Sequence, residues 1–208
     1  MSQYTYEHEN KGTALEKYEW DNVWWEQTDK RNTPRVLYIG DSISCGTRKI
    51  ATEVSNGEIL FDGFGTSKAV DNPYYADTLR LFAKQQGKRE VVLFNNGLHG
   101  WHLDDETDYA REYEKMICFL MKEFEGTPIL LVLTTHVANE ERDARVQVRN
   151  RVICELAKKY GLSVIDLYTV TKEHSELIGP DGVHLSKEGY QLLASTLVGR
   201  VKEFISNV

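Results

Sequence analysis

The sequence has few cysteines and no long apolar run, which argues against a disulfide-rich or zinc-binding protein and against a membrane-spanning one. The three cysteines, Cys45, Cys118 and Cys154, form no Cys-x-x-Cys pair, so neither a disulfide framework nor a zinc site is expected. No apolar run approaches the roughly 20 residues that span a bilayer, and the first residues lack the basic start and apolar stretch of a signal peptide. A secreted parent whose signal peptide has been removed stays open as an alternative.

Basic charge is also in short supply. There are 25 Lys and Arg against 32 Asp and Glu, which gives a formal net charge of −7. Because nucleic-acid binding depends on neutralising phosphates, we expect no nucleic-acid partner. Hydrophobic residues make up 41% of the 208 residues, enough for one domain with a substantial core. These features favour a cytoplasmic protein with no membrane partner.

Regular patterning begins at Arg35, which divides the chain in two. Residues 1–34 are expected to form an N-terminal segment that packs on the body, because Trp20, Trp24 and Trp25 are large aromatics of a kind that is mostly buried. Sugar stacking is the alternative role for these tryptophans. Residues 35–208 are expected to form the domain itself.

Short apolar runs alternate with amphipathic stretches along that domain. Strands are predicted at 35–39, 58–61, 91–94, 129–133 and 162–165, with a Gly-rich turn at 62–67. Helices are predicted from Asp71 onward and along the apolar stripes 109–124, 148–160 and 190–201. This alternation indicates a central, mostly five-stranded parallel sheet in a three-layer α/β/α sandwich.

Polar clusters follow three of these strands, at 40–42, 95–99 and 134–136. The carboxyl ends of parallel strands meet at one edge of the sheet, so we expect a site there. Ser42 follows the first strand in a turn that can expose its hydroxyl as a nucleophile. The alternative is a turn in which Asp41 or Ser42 only caps the next helix.

A second chemical signal is Asp181-Gly182-Val183-His184, just before the last helix. A carboxylate three residues before a histidine can orient the imidazole and leave its other nitrogen for a partner. The structural alternative is a helix cap with a solvent-facing histidine. With Ser42, this motif would supply the nucleophile, base and carboxylate of acyl transfer.

These motifs, in this order, resemble the SGNH (GDSL) hydrolases from about Arg35 to the C-terminus. The resemblance implies the flavodoxin-like SGNH fold and ester hydrolysis. No metal is expected, because the six histidines form no spaced set of ligands with the carboxylates, and no cofactor is expected. It makes Ser42 the nucleophile, His184 the base and Asp181 its orienting carboxylate. It also implies three oxyanion donors: the N–H of Ser42, a glycine after the second strand and an asparagine after the third.

The sequence departs from the family pattern at the last two donors. Gly65 is the better match for the glycine, with Gly63 as the other choice. Histidine stands in the asparagine position, as Gly97-Leu98-His99, and a neutral imidazole N–H can donate to an oxyanion as an amide does. Asn95 and Asn96 are reserve donors.

Gly-Leu-His is similar to variants in carbohydrate-active branches of the family. We therefore expect a serine esterase that acts on small acyl esters, such as O-acetyl groups on an oligosaccharide or small molecule. Asp41, Trp101 and His102 are expected to contact the substrate, with a wall of the catalytic loop as the alternative role for Trp101, and His136 is expected to be structural. The alternatives are a lipid esterase, lysophospholipase or thioesterase of the same superfamily, or a binding module without catalysis.

Overall fold

Apolar runs build a six-stranded sheet in the computed structural model, which describes residues 14–205. The strands are β1 (Asp21–Trp24), β2 (Arg35–Gly40), β3 (Leu60–Thr66), β4 (Val91–Phe94), β5 (Ile129–Val132) and β6 (Ser163–Ile165). The helices are α1 (Ser42–Val54), α2 (Tyr75–Gln86), α3 (Glu106–Glu123), α4 (Glu140–Tyr160), α5 (Leu167–Glu173) and α6 (Lys187–Ile205), with a short 3-10 helix at Ser175–Leu177.

The strands are ordered β1-β3-β2-β4-β5-β6 across the sheet. The five strands from β2 to β6 pair in parallel, which confirms the predicted parallel sheet. The chain runs from β2 to β3 on one side and then crosses to β4 on the other. In open parallel sheets, such a change of direction leaves a crevice at the carboxyl ends of the two strands. Ser42 follows β2 and residues 95–99 follow β4, so both lie at this crevice.

Alternating side chains on β2 show why the sheet is covered on both faces. Val36 and Tyr38 pack in the apolar layer that contains buried residues of α1 and α6. Leu37 and Ile39 pack in the opposite layer, with residues of α2, α3 and α4. All four are buried, as expected for a strand in the middle of a three-layer sandwich. The predicted three-layer architecture is confirmed.

Strand β3 differs from its prediction. The stretch 62–67 was expected to be a turn, yet β3 continues to Thr66 and pairs in parallel with β2. A Cβ at Gly63 would lie 2.4 Å from the Arg48 side chain, and one at Gly65 would lie 2.2 Å from Cys45 Sγ. The glycines therefore let α1 approach the strand closely rather than turn the chain.

Strand β1 was not predicted and is the antiparallel neighbour of β3. It forms the outer edge of the sheet, and its four residues are exposed. Within residues 14–205, no helix has both the length and the apolar character needed to cross a membrane.

Candidate active site

Ser42 is the first residue of α1, directly after β2. The side chain of Asp41 caps the helix by accepting the Ile43 N–H at 2.9 Å. Gly40 is required at this tight entry, because a Cβ there would lie 2.8 Å from the Ser44 Cβ. Burial raises the pKa of Asp41, against the opposing effects of His99, the Ile43 N–H and His184. The turn thus buries Asp41 and leaves Ser42 partly accessible.

The Asp181–His184 turn is folded around the Asp181 carboxylate. Its Oδ1 accepts the backbone N–H groups of Val183 and His184, both at 3.0 Å, and its Oδ2 lies 2.6 Å from His184 Nδ1. Gly182 has a φ of +76°, a conformation that favours glycine. Partial burial opposes ionisation, but these donors hold the pKa of Asp181 below its usual value.

The turn brings His184 to Ser42. The Nε2 atom of His184 lies 2.8 Å from Ser42 Oγ. Because an ionised carboxylate can only accept, Asp181 keeps the proton on Nδ1, which leaves Nε2 to accept the Ser42 hydroxyl proton. The three residues predicted as the triad therefore form one continuous hydrogen-bonded chain.

The backbone at the start of α1 offers one donor next to Ser42 Oγ. The first N–H groups of a helix have no acceptor within it. The Ile43 and Ser44 N–H groups donate to the Asp41 carboxylate. The remaining N–H at this helix end is that of Ser42, the residue that carries the hydroxyl. It is available to an oxygen bound at this helix end.

The register of β3 directs the Gly65 N–H away from Ser42, contrary to the prediction. Ser67 N–H donates to the Trp20 carbonyl at 3.1 Å, and the same antiparallel register pairs Asn22 with Gly65. Inward and outward N–H groups alternate along a strand, so the N–H of Gly65, and that of Gly63, face β1. Neither glycine fits the predicted role of oxyanion donor through its N–H.

The reserve asparagines are held in other hydrogen bonds. Asn95 Nδ2 donates to the Val132 carbonyl at 2.8 Å and to Thr134 Oγ1 at 3.1 Å, which uses both amide hydrogens. Asn96 Nδ2 donates to the Lys68 carbonyl at 2.7 Å. These bonds tie the end of β4 to its neighbours, so the geometry favours His99 over either asparagine as the donor from this loop.

His99 is buried at the crevice, close to two carboxyl groups. It acts electrostatically on Asp41, and its Nδ1 lies 3.7 Å from Glu16 Oε1. The edge of the Trp20 ring packs against the imidazole, with the centroids 6.1 Å apart. Sequence reasoning missed Glu16, because nothing in the local pattern links it to a loop 83 residues away.

Arg149 holds the loop that carries His99. Its buried guanidinium donates to the carbonyls of Gly97 at 2.9 Å, His99 at 2.8 Å and Gly100 at 2.7 Å. The prediction placed Val148 in the apolar stripe of α4, but Arg149 is the more buried of the two. A charged residue inside a helix that is otherwise packed against the sheet was the available signal.

Solved ester hydrolases share this arrangement of strands and helices. The acetyl xylan esterase AlAXEase superposes with a TM-score of 0.64 at 20% identity, over 80% of this chain and 99% of its own. A lipase/acylhydrolase from Enterococcus faecalis gives 0.63 at 18% identity, over 82% and 96%. A carbohydrate esterase family 3 protein from Talaromyces cellulolyticus gives 0.67 at 14% identity, over 85% and 100%. No protein-family model and no curated protein sequence matches the chain.

The chain has the SGNH hydrolase fold. At these identities, the similarity establishes the architecture, and the chemistry must be argued from the residues themselves. Within this SGNH fold, the hydrogen-bonded Ser42, His184 and Asp181 lie at the carboxyl edge of the sheet, where the crevice opens.

Two of the three residues predicted to contact substrate are buried, and the third, His102, is partly exposed. Asp41 is buried by its capping role, and Trp101 is only 3% exposed. The Trp101 ring packs against the guanidinium groups of Arg145 and Arg149, 4.7 and 4.6 Å from its centroid. His102 pairs with Asp71 at 2.8 Å. Trp101 therefore stabilises the loop instead of offering a stacking face.

His136 has the structural contacts that were predicted for it. Its Nδ1 lies 2.6 Å from Asp143 Oδ1, and the other carboxylate oxygen accepts the Tyr168 hydroxyl at 2.8 Å. Two residues on, the Ala138 N–H donates to the Gly182 carbonyl at 2.8 Å. The network thus supports the turn that carries His184. No cluster of three or more metal-ligating side chains occurs within residues 14–205.

Proposed function

We propose that the protein is a serine esterase that hydrolyses small acyl esters. The observation that carries this proposal is the chain of hydrogen bonds from Asp181 through His184 to Ser42 Oγ, at 2.6 and 2.8 Å. A serine hydroxyl bonded to a carboxylate-oriented imidazole has the geometry of an activated nucleophile. The similarity to esterase structures supports the same reaction class.

The reaction proceeds in two steps. As Ser42 Oγ attacks the acyl carbonyl, its proton passes to His184 Nε2 and the carbonyl electrons move onto oxygen. Collapse of the tetrahedral intermediate expels the alcohol, which takes the proton from His184, and leaves an acyl-Ser42. Water then loses a proton to His184 as it attacks the acyl group, and collapse of the second intermediate releases the acid while Ser42 Oγ takes that proton back from His184. Asp181 holds the ring in one tautomer and stabilises its positive charge.

Two groups are assigned here as donors to the oxyanion. The Ser42 N–H lies at the start of α1, where the helix dipole also favours negative charge. His99 supplies the second donor from the loop after β4. His99→Ala should lose roughly 10²–10³-fold in turnover, and His99→Asn should lose less than His99→Ala, since an amide also donates.

We assign a small acyl group, most simply acetyl, on a carbohydrate acceptor. His184 is 35% exposed and Asp181 is 53% exposed, so the reacting groups lie near the surface, where a bulky acceptor can reach them. Two cavities, of about 180 and 280 Å³, are lined by residues other than the triad and provide no acyl tunnel from Ser42. The esterases of similar fold include an acetyl xylan esterase and a carbohydrate esterase.

The nucleophile is tested by covalent labelling and by substitution. A fluorophosphonate probe should label wild type at Ser42, and Ser42→Ala should lose on the order of 10⁶-fold in turnover while keeping its circular dichroism spectrum. Ser195→Ala is the matched control, because this exposed serine on α6 bonds only within its own helix. More than a few per cent of wild-type activity in Ser42→Ala would exclude the triad.

The substrate class is tested with esters of increasing chain length. Acetyl and butyryl p-nitrophenyl esters should be hydrolysed faster than dodecanoyl, and acetylated oligosaccharides should release acetate. A rate that rises steadily to dodecanoyl would instead favour the lipid esterase. Esterase activity absent from every substrate, together with no labelling of Ser42, would favour a binding module.

A further inference from the structure

A stretch before β1, residues 14–20, crosses the crevice and is here named the N-terminal strap. Glu19 fixes it to the body: its Oε2 accepts the Ser67 hydroxyl and its Oε1 accepts Asn72 Nδ2, both at 2.9 Å. The Trp20 N–H donates to Ser67 Oγ at 2.8 Å. The strap is therefore held by side chains that follow β3, next to the site.

Glu16 reaches from the strap into the loop that carries His99. Its side chain is 4% exposed, and its Oε1 accepts the Gly100 N–H at 3.0 Å and lies 3.7 Å from His99 Nδ1. The other oxygen, Oε2, is buried with no hydrogen-bond partner among the described residues. A buried carboxylate of this kind requires a nearby positive charge.

The charge state of Glu16 follows from its neighbours. Burial opposes ionisation, but His99, the Gly100 N–H and His102 together hold the pKa of Glu16 below its usual value. Asp41, the other carboxyl group that His99 influences, has a raised pKa because it is buried. Glu16 is thus the ionised partner of His99, and the Arg149 guanidinium lies on the carbonyl side of the same loop.

This arrangement decides which proton His99 can donate. The contact is at ion-pair rather than hydrogen-bond distance, and at 3.7 Å the Glu16 carboxylate favours a proton on Nδ1 electrostatically. If the ring were neutral, Nε2 would then be an acceptor and could not stabilise an oxyanion. Only the doubly protonated ring has an N–H at Nδ1, facing Glu16, and a second N–H at Nε2 that can donate to an oxyanion.

We propose that Glu16 is a positioning residue that holds His99 as an imidazolium, so that the oxyanion donor carries a full positive charge. This rests on the proposed esterase function and changes one part of it, the neutral donor expected from the sequence. A charged donor binds a developing oxyanion more strongly than a neutral one. It also makes the N-terminal strap part of the catalytic machinery.

A double-mutant cycle tests this coupling. Glu16→Gln keeps an acceptor for the Gly100 N–H but removes the charge. On an acetyl ester, it should lower kcat about 10- to 100-fold, within the effect of one oxyanion donor, with KM changed little. In the His99→Asn background, the same change should alter kcat less than about twofold, because asparagine has no charge to stabilise.

Glu19→Gln is the matched control, because it loosens the strap without removing a charge next to His99. Its effect should be the same in both backgrounds. Equal losses from Glu16→Gln in both backgrounds would show that Glu16 only anchors the loop, and no loss in either would exclude any role. Wild type and Ser42→Ala, measured in parallel, separate the two failures: if wild type does not cleave the ester, or if Ser42→Ala stays active, the proposed serine-esterase mechanism itself is wrong.

The pH profile gives a second readout that anchoring alone would not move. In wild type, kcat should fall at alkaline pH as His99 loses its proton. Glu16→Gln should shift this fall to lower pH, and His99→Asn should lack it. Should Glu16→Gln fail to fold, nitrogen NMR of the wild-type imidazole decides: both His99 nitrogens protonated at neutral pH supports the proposal, and a neutral ring overturns it.

Discussion

Replacing Arg149 with methionine tests whether the loop between β4 and α3 is held by one buried guanidinium. Methionine is similar in length and apolar, so Arg149→Met removes the charge and the donors while largely filling the space. The carbonyls of Gly97, His99 and Gly100 lose their donors, and two aromatic rings lose a cation. Those rings are Trp101 and Tyr109, with centroids 4.6 and 4.5 Å from the guanidinium carbon.

The magnitude follows from the number of groups that are left without a partner. A buried carbonyl without a donor costs about 1–3 kcal/mol, and a partly desolvated cation–π contact contributes about 0.5–2 kcal/mol. Relief of the desolvation cost of the guanidinium, and water entering at the loop, offset part of this sum. We expect Arg149→Met to lower the free energy of unfolding by about 3–5 kcal/mol, the range for breaking a buried charge network.

Urea unfolding followed by tryptophan fluorescence and circular dichroism measures this change. Arg151→Met is the control on the same helix, since Arg151 is 54% exposed and pairs only with the exposed Glu106. Its effect should stay within about 0.5 kcal/mol. Equal effects of the two substitutions, or a loss below about 1 kcal/mol for Arg149→Met, would refute the assigned role. Under folded conditions, Arg149→Met should also reduce kcat, because it releases His99.

Three further outcomes are expected. Asp181→Asn should lower kcat by roughly 10³–10⁴-fold because the amide no longer enforces the tautomer, while Asp108→Asn on the surface should match wild type; equal activities would remove Asp181 from the triad. Asp143→Asn should destabilise the protein at neutral pH, because Asp143 is ionised there: burial opposes this, but Tyr168 and His136 hold its pKa below the usual value. The stability that this carboxylate contributes is present above the unfolded pKa of 3.8 and is lost as the pH falls through the folded pKa. The difference in unfolding free energy between wild type and variant should therefore shrink in acid, and a constant difference would contradict this. Gly46→Ala should lower the free energy of unfolding by about 1–3 kcal/mol, because its Cβ would lie 2.4 Å from the Tyr190 ring. Gly199→Ala is the control, because a Cβ there would meet open space and should not destabilise the protein. Similar melting temperatures for the two variants would argue against tight packing of α1 on α6.

The parallel strands were predictable because their information is local. The stretch 91–94 is apolar at every position, and a strand buried on both faces requires nothing else. Strand β3 was cut short in the prediction because Gly63 and Gly65 resemble turn residues until Arg48 and Cys45 are seen against them. Strand β1 is exposed and short, so its residues carry no burial pattern from which it could be recognised.

The candidate site divides in the same way. Ser42, Asp181 and His184 stand in recognisable local motifs, and the structure brings them into hydrogen-bonding distance. The contacts of Glu16 and Arg149 with the 97–100 loop join residues 84 and about 50 positions apart, so no local pattern reports them. The role of Trp101 could not be decided from the sequence, because an aromatic residue beside a loop gives the same local pattern whether it faces solvent or packs against arginines.

The bond between Ser42 and His184 joins residues 142 positions apart, and this separation has a consequence during protein synthesis. During translation, Ser42 is synthesised and leaves the ribosome long before His184 has been added to the chain. The Asp181–His184 turn leads into α6, which packs on α1 where Tyr190 meets Gly46, so we expect the turn to reach Ser42 only when α6 has docked. If the proposed esterase function is right, ester cleavage should therefore begin only at the last stage of assembly, and its onset should report complete folding.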